Sequence, residues 1–218
     1  MAVTKIDEFM KRIGVKGGMS MTSAFDVDFT FTGEAAKLDF VKKYYTDTEK
    51  EVVTMLCDEA QLPNVQSATA QITGRYLGEG PISYPHTRIY TDVSLGFLLD
   101  ADLTALKFFT AWYDSIFGEE NTQQRNRVNR LRYMDDYTCT ARIMKTEPNH
   151  VASNGRNPIT FSLENCYPYS IDAVPLSYGT SQVTRLTVNL YYTRHTVVYG
   201  GEETALQTAN RTGRLPPG

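Results

Sequence analysis

ENCYPYSIDAVPLSYG, residues 164–179, joins two runs that alternate like β-strands. It holds one cysteine, two prolines, three tyrosines and a closing glycine. Two readings compete. Cys166 could be the nucleophile of an active-site loop, or the segment could be a shaped connector between two sheets. Pro168 and Pro175 fix φ and donate no ladder hydrogen bond. Gly179 permits a turn with positive φ. These residues favour a rigid crossover between two sheets, with Cys166 as a packed small side chain.

Downstream of it, VTRLTVNLYYTRHTVVY (183–199) reads as one long strand. Leu186, Val188, Leu190 and Tyr192 face one side; Arg185, Thr187, Asn189 and Tyr191 face the other. Upstream, YTCTARIM (137–144) and ITFSLENC (159–166) also read as strands. FDVDFTFT (25–32) alternates most cleanly, with Phe25, Val27, Phe29 and Phe31 on the buried side. Residues 51–60, EVVTMLCDEA, read as a buried strand ending before Leu62 and Pro63. Residues 68–77 and 88–99 read as two more strands, separated by the turn-rich GEGPISYPH. The polar, lysine-rich segment 33–49 reads as a loop or outer-face excursion.

One helix stands out. Leu103, Leu106, Phe109, Trp112, Tyr113 and Ile116 make an apolar stripe, Asp100 or Asp102 can cap its start, and Gly118 ends it. A shorter helix is expected over 4–13, broken at Gly17 and Gly18. The tail beyond residue 199 reads as an exposed arm. Many strands with one good helix give a mainly β, α+β class.

Composition narrows the function. The chain has 218 residues and a net charge of −3, which suits one domain with arms and no bulk attraction to polyanions. Three scattered cysteines form neither a disulfide framework nor a zinc motif, and suit a cytosolic setting. The N-terminus lacks the apolar region of a signal peptide, and no run is long enough to span a membrane.

Candidate chemistry is sparse. Tyr133 to Asp136 spell YMDD, a metal-binding hairpin in reverse transcriptases, but a two-metal site needs a third carboxylate and a surrounding palm. As strand neighbours, Asp135 and Asp136 would point to opposite faces. Cys139, Cys166, His150 and His195 are raw material for a cysteine–histidine pair, without a visible third group to orient the base. GEG at 78–80 lacks the helix a phosphate loop requires. Arg125, Arg127, Arg130 and Arg132 form the densest basic stretch. The residues between them are not stacking aromatics, so a solvated loop or a protein contact fits better than nucleic-acid binding.

From Cys166 to Tyr192 the chain resembles the tail tube family of contractile phages. The matching pieces are Asn165-Cys166, Pro168, Leu176-Ser177-Tyr178, a short polar turn at 179–182, and a final alternating strand. In the same order come the opening strand FDVDFTF, Leu62-Pro63, and a strand feeding a tryptophan-bearing helix, VSLGFLLDADLTALKFFTAWYDSI. The resemblance spans roughly 24–198. It implies a tail-tube-like antiparallel β-sandwich or barrel with one flanking α-helix and extended terminal arms, divided as 1–23, 24–198 and 199–218. It also implies a structural, non-enzymatic virion protein that needs no cofactor. Six copies would form a ring, and long hairpins from each would join one inner barrel. Stacked rings would pass DNA and a tape-measure protein, dock sheath and baseplate, and assemble in the host cytoplasm. The related tube initiator of the baseplate is the alternative. Axial contacts would fall to loops and arms, with Arg125, Arg127, Arg130 and Arg132 as candidates. Two rival classes remain: an enzyme using Cys139 or Cys166, and a nucleic-acid-binding module using Arg125 to Arg132.

Overall fold

The computed structural model describes residues 6–15, 18–73, 80–117, 131–147, 156–176, 178–179 and 182–199. Helix α1 (Ile6–Val15) precedes β1 (Phe25–Thr30). A single 3-10 turn (Ala35–Lys37), α2 (Asp39–Tyr44) and α3 (Asp47–Leu56) follow, then β2 (Cys57–Ala60), β3 (Val65–Ile72), β4 (Ile82–Tyr90) and β5 (Val93–Leu98). Helix α4 (Thr104–Ile116) and the one-turn α5 (Met134–Tyr137) lead to β6 (Cys139–Glu147), β7 (Arg156–Ile171), β8 (Arg185–Tyr191) and β9 (Arg194–Tyr199). The fold is mainly β and antiparallel, as the sequence predicts.

Seven strands form one continuous sheet in the order β1-β6-β7-β8-β5-β2, with β9 also paired to β7. The sheet curls until β1 approaches β2. Strand β7 makes the curl possible. Its first part pairs with β6 and β9, and its last residues pair with β8. At the change of partner the register against β6 slips by one residue, and Asn165 takes a φ of 53°. An extra residue in one strand bends it, and such bends let a strand leave one sheet layer for another. A second slip at Tyr169 accommodates Pro168. The quoted segment is therefore a crossover, but through residue 171 it is strand rather than loop.

The same corner breaks the expected long strand. The 183–199 run divides at Tyr192 and Thr193, level with the slip in β7, where the Thr193 N–H donates to the Glu164 carbonyl at 3.0 Å. The alternation itself holds: Leu186, Val188, Leu190 and Tyr192 are all buried. Strand β1 is likewise as expected, with Val27 and Phe29 in the core.

Two segments differ from expectation. Residues 33–49 are not an outer loop, and EVVTMLCDEA is not one strand; helices occupy 39–44 and 47–56, and the strand begins only at Cys57. The polar letters conceal Leu38, Phe40, Tyr45 and Val53, all buried. A short apolar run does not distinguish helix from strand, and acidic Asp47 and Glu49 in the first turn suit the positive end of a helix. The flanking layer thus contains α2 and α3 beside α4. The 88–99 run is also divided, at Thr91 and Asp92.

Helix α4 anchors the core. The Thr104 backbone N–H and hydroxyl both donate to the Asp100 carboxylate, at 2.7 and 2.6 Å. Its buried stripe is Ala105, Phe108, Phe109, Trp112 and Ile116, rotated from the predicted one, since Leu103 is exposed. Trp112 meets Phe29 and Phe31 edge-on and stacks on Phe40, with centroids 5.9, 5.0 and 6.2 Å away. Its indole N–H donates to the Tyr137 carbonyl at 2.8 Å, so the buried polar atom is satisfied. Trp112→Ala is expected to destabilise the fold by about 3–5 kcal/mol, read as the shift in urea unfolding midpoint at unchanged slope. A loss under 1 kcal/mol would contradict this packing.

Candidate assembly surface

Strands β3 and β4 stand apart. They pair with each other and form a separate two-stranded sheet. An isolated hairpin is marginal in water, and each of its strands leaves one edge of backbone donors and acceptors unpaired. Register sorts its side chains. Gln66, Ala68, Ala70 and Ile72 lie opposite Ile89, Thr87, Tyr84 and Ile82 on one face. Val65, Ser67, Thr69 and Gln71 lie opposite Tyr90, Arg88, Pro85 and Ser83 on the other. His86 is the extra residue of a bulge, which is where a strand tolerates the neighbouring Pro85. The hairpin is therefore amphipathic. Its apolar face is uncovered: Ile72, Ile82, Tyr84 and Ile89 are 40–42 % exposed.

The base of the hairpin is tied to the sheet corner. The Tyr90 ring lies 6.0 Å from that of Tyr192 and 5.1 Å from His195. Burial, helped by the neighbouring Tyr90, pushes the Tyr192 hydroxyl up to about 12. Burial and then Arg88 hold His195 below its ordinary value. Next to this cluster, Tyr169 donates a hydrogen bond to Asp92.

A second feature fastens the chain before β1. Glu147 accepts from the Ser20 hydroxyl and, at 3.2 Å, from the Met21 N–H. Lys145 pairs with Glu147 at 2.6 Å and donates to the Ala24 carbonyl at 2.8 Å. The segment leading from α1 is thereby latched to the end of β6. Helix α1 itself presents Ile6, Phe9 and Met10 to solvent.

The sequence-predicted site residues are dispersed. Arg125, Arg127, Arg130 and His150 lie outside the described residues, as does Gly118. Arg132 closes α4: its Nε donates to the Ser115 carbonyl at 2.8 Å and its backbone N–H to that of Ile116 at 3.0 Å. A guanidinium suits this negative end of a helix. Asp135 and Asp136 sit in the first turn of α5 rather than on a strand, and among the described residues no group of carboxylates, histidines or cysteines could hold a metal. Cys139 and Cys166 face each other across β6 and β7, both buried. His195 packs instead on Tyr90, Tyr192 and Phe161. Among the described residues, Asp28, Asp47, Lys50, Glu51, Thr54 and Met55 line an open hollow. There burial raises Asp28, but Lys50 and Arg142, at 2.8 and 2.9 Å, outweigh it and hold the carboxyl below its ordinary value. Asp28, Lys50 and Arg142 form an ion triad. The strands expected at 68–77 and 88–99 hold Ile72 and Ile89, but Ile82 and Tyr84 went unrecognised because Gly80, Pro81 and Pro85 read as turn; their alternation was the available signal.

The family model described as phage tail tube protein matches residues 20–198. The chain belongs to the phage tail tube protein family, whose members are structural tube proteins. Solved structures share its fold. A chain of an extracellular contractile injection system, the PVC sheath-tube complex in its extended state, is 12 % identical with a TM-score of 0.54, over 87 % of this chain and 97 % of that one. A chain of the anti-feeding prophage baseplate is 14 % identical with a TM-score of 0.50, over 84 % and 97 %. One from the cap that terminates the anti-feeding prophage tube is 12 % identical with a TM-score of 0.51, over 83 % and 91 %. No curated protein sequence matches the chain.

The latch sets a pH dependence. Hydrogen bonds from Lys145 first, then Ser20, lower the Glu147 carboxyl from 4.5 to about 2. A carboxyl lowered in the folded state stabilises above its unfolded value and loses that stabilisation as pH falls through the folded one. Wild-type stability is expected to fall between about pH 4.5 and 2, and Glu147→Gln to lose less across that window. Urea unfolding at stepped pH checks this; identical acid limbs would dismiss the latch.

Proposed function

We propose that this chain is the subunit of a contractile phage tail tube, in which six copies close a ring and rings stack into a conduit for DNA. The carrying observation is the β3–β4 hairpin, amphipathic, unpaired at both edges and uncovered on its apolar face. Joining hairpins from neighbouring copies satisfies both edges and yields a closed barrel wall. Its apolar face then packs against protein. Its other face, with Ser67, Thr69, Gln71, Ser83 and Arg88, lines the lumen. Apart from Arg88 at its base, that face offers hydroxyl and amide groups, which grip phosphates weakly and suit DNA and a tape-measure protein that must slide. Sheath and baseplate are the outer partners, a reading supported by the assemblies that hold its structural neighbours. The particle is the phage tail, assembled in the host cytoplasm. Likeness to a baseplate chain supports a second reading, the baseplate ring that initiates the tube.

Negative-stain microscopy of the purified protein is expected to show six-fold rings or tubes. The double variant Ile82→Asp, Ile89→Asp should keep the wild-type circular dichroism and lose both. Stable monomers at high concentration, with or without baseplate nucleators, would overturn the proposal; rings that never stack would favour the initiator.

We assign axial contacts to residues 1–18, 33–49 and 119–132, the last holding Arg125, Arg127 and Arg130, and to the tail from Gly201. Exposed charges set register and partner choice more than affinity. Reversing these three arginines to glutamate is expected to leave rings intact and shorten tubes, and high salt to shorten wild-type tubes. Equal lengths at every salt concentration would remove the loop from the interface.

A further inference from the structure

Cys139 opens β6, and Cys166 is its direct partner on β7. Both are free thiols, 4 % and 0 % exposed. Opposed residues of an antiparallel pair hold their Cα atoms about 4.5–5.5 Å apart. A disulfide spans roughly 4.4–6.8 Å between Cα atoms. The pair also adjoins the register slip at Asn165, where the ladder is already interrupted and small adjustments of the strands cost least. Cys57 provides an internal contrast. It lies on β2 opposite Phe97, with no cysteine as its strand partner.

We propose that Cys139 and Cys166 are a latent dithiol, which a peroxide converts into a disulfide stapling β6 to β7 at the corner of the sheet. One thiolate attacks a peroxide oxygen, breaking the O–O bond and becoming a sulfenic acid as water leaves. The second thiolate attacks that sulfur, forms the S–S bond and displaces a second water. Two thiols lose two protons and two electrons, and one hydrogen peroxide becomes two waters. Burial, then the neighbouring Cys166, raises the Cys139 thiol well above its ordinary value. The folded pair is therefore slow to oxidise, and reaction proceeds when the corner opens. Once formed, the bond is sheltered from reductants by the same burial. This inference does not depend on the assembly reading, because the pair lies within one subunit.

The test uses the full chain, incubated with hydrogen peroxide a few degrees below its Tm, then denatured, alkylated with iodoacetamide and weighed. One alkylated thiol, Cys57, is expected in place of three, with the disulfide lowering the underlying mass by about 2 Da. Peptides carrying Cys139 and Cys166 should be linked until reductant separates them. The oxidised protein should melt roughly 5–10 °C higher, since a cross-link constrains the unfolded chain. Cys166→Ala should leave Cys139 unlinked within the chain. Three alkylated thiols, a link through Cys57, sulfinic acids at both positions, or a lowered Tm would each overturn the proposal.

Discussion

The corner where β7 exchanges β9 for β8 governs the rest of the molecule. A strand of this length paired on both sides would stay in one layer. The slip at Asn165 and the break at Tyr192 and Thr193 occur at the same level, so the sheet turns there as a unit. Glu164 holds the turn together. Its carbonyl accepts from Thr193, while its carboxylate accepts from Arg194 and, at 3.2 Å, from the Thr196 hydroxyl. The turn brings Leu163, Cys166, Leu186, Val188 and Leu190 into one core, against which Phe97 and the α4 aromatics pack.

Closing the curl leaves two sheet margins facing one another, and each is protected. The hydroxyl of Tyr45 accepts from the Phe29 N–H at 3.3 Å and donates to its carbonyl at 3.0 Å, filling the outer edge of β1. Strand β2 carries Asp58 and Glu59, held by Arg185. Charged residues on a short margin discourage pairing with another chain. Gly96 lets β2 lie close: a Cβ there would stand 3.0 Å from that of Glu59. The hairpin, by contrast, has neither cover nor guard charges on its apolar face. That difference supports the proposal that the hairpin is covered by neighbouring copies.

Legibility in the sequence followed burial. Strands β1 and β8 and helix α4 were readable because one side of each is fully covered, so alternation or a stripe is written into the letters. The helices between 39 and 56 were not. Phe40, Tyr45 and Val53 are buried singly among lysines and acids, and four apolar letters at 52–56 fit either period. The hairpin was misread for a different reason. Its apolar side stays exposed at Ile72, Ile82, Tyr84 and Ile89, and Pro85 sits at a bulge that no local signal marks. The breaks at Asn165 and Tyr192 depend on pairing between distant segments. Among the arginines, Arg132 closes a helix end, a role that a run of like charges does not announce.

Each strand of the hairpin offers one free edge, so a subunit joins at most two neighbours through it. Polymer chemistry names such a unit bifunctional. Bifunctional units cannot branch or gel; they form linear chains or cycles, and the rotation and rise between the two junctions govern which. The hairpin is anchored at its base through Tyr90 against Tyr192 and His195. That aromatic anchor at the base of the hairpin is therefore where the number of subunits in a closed cycle would be set.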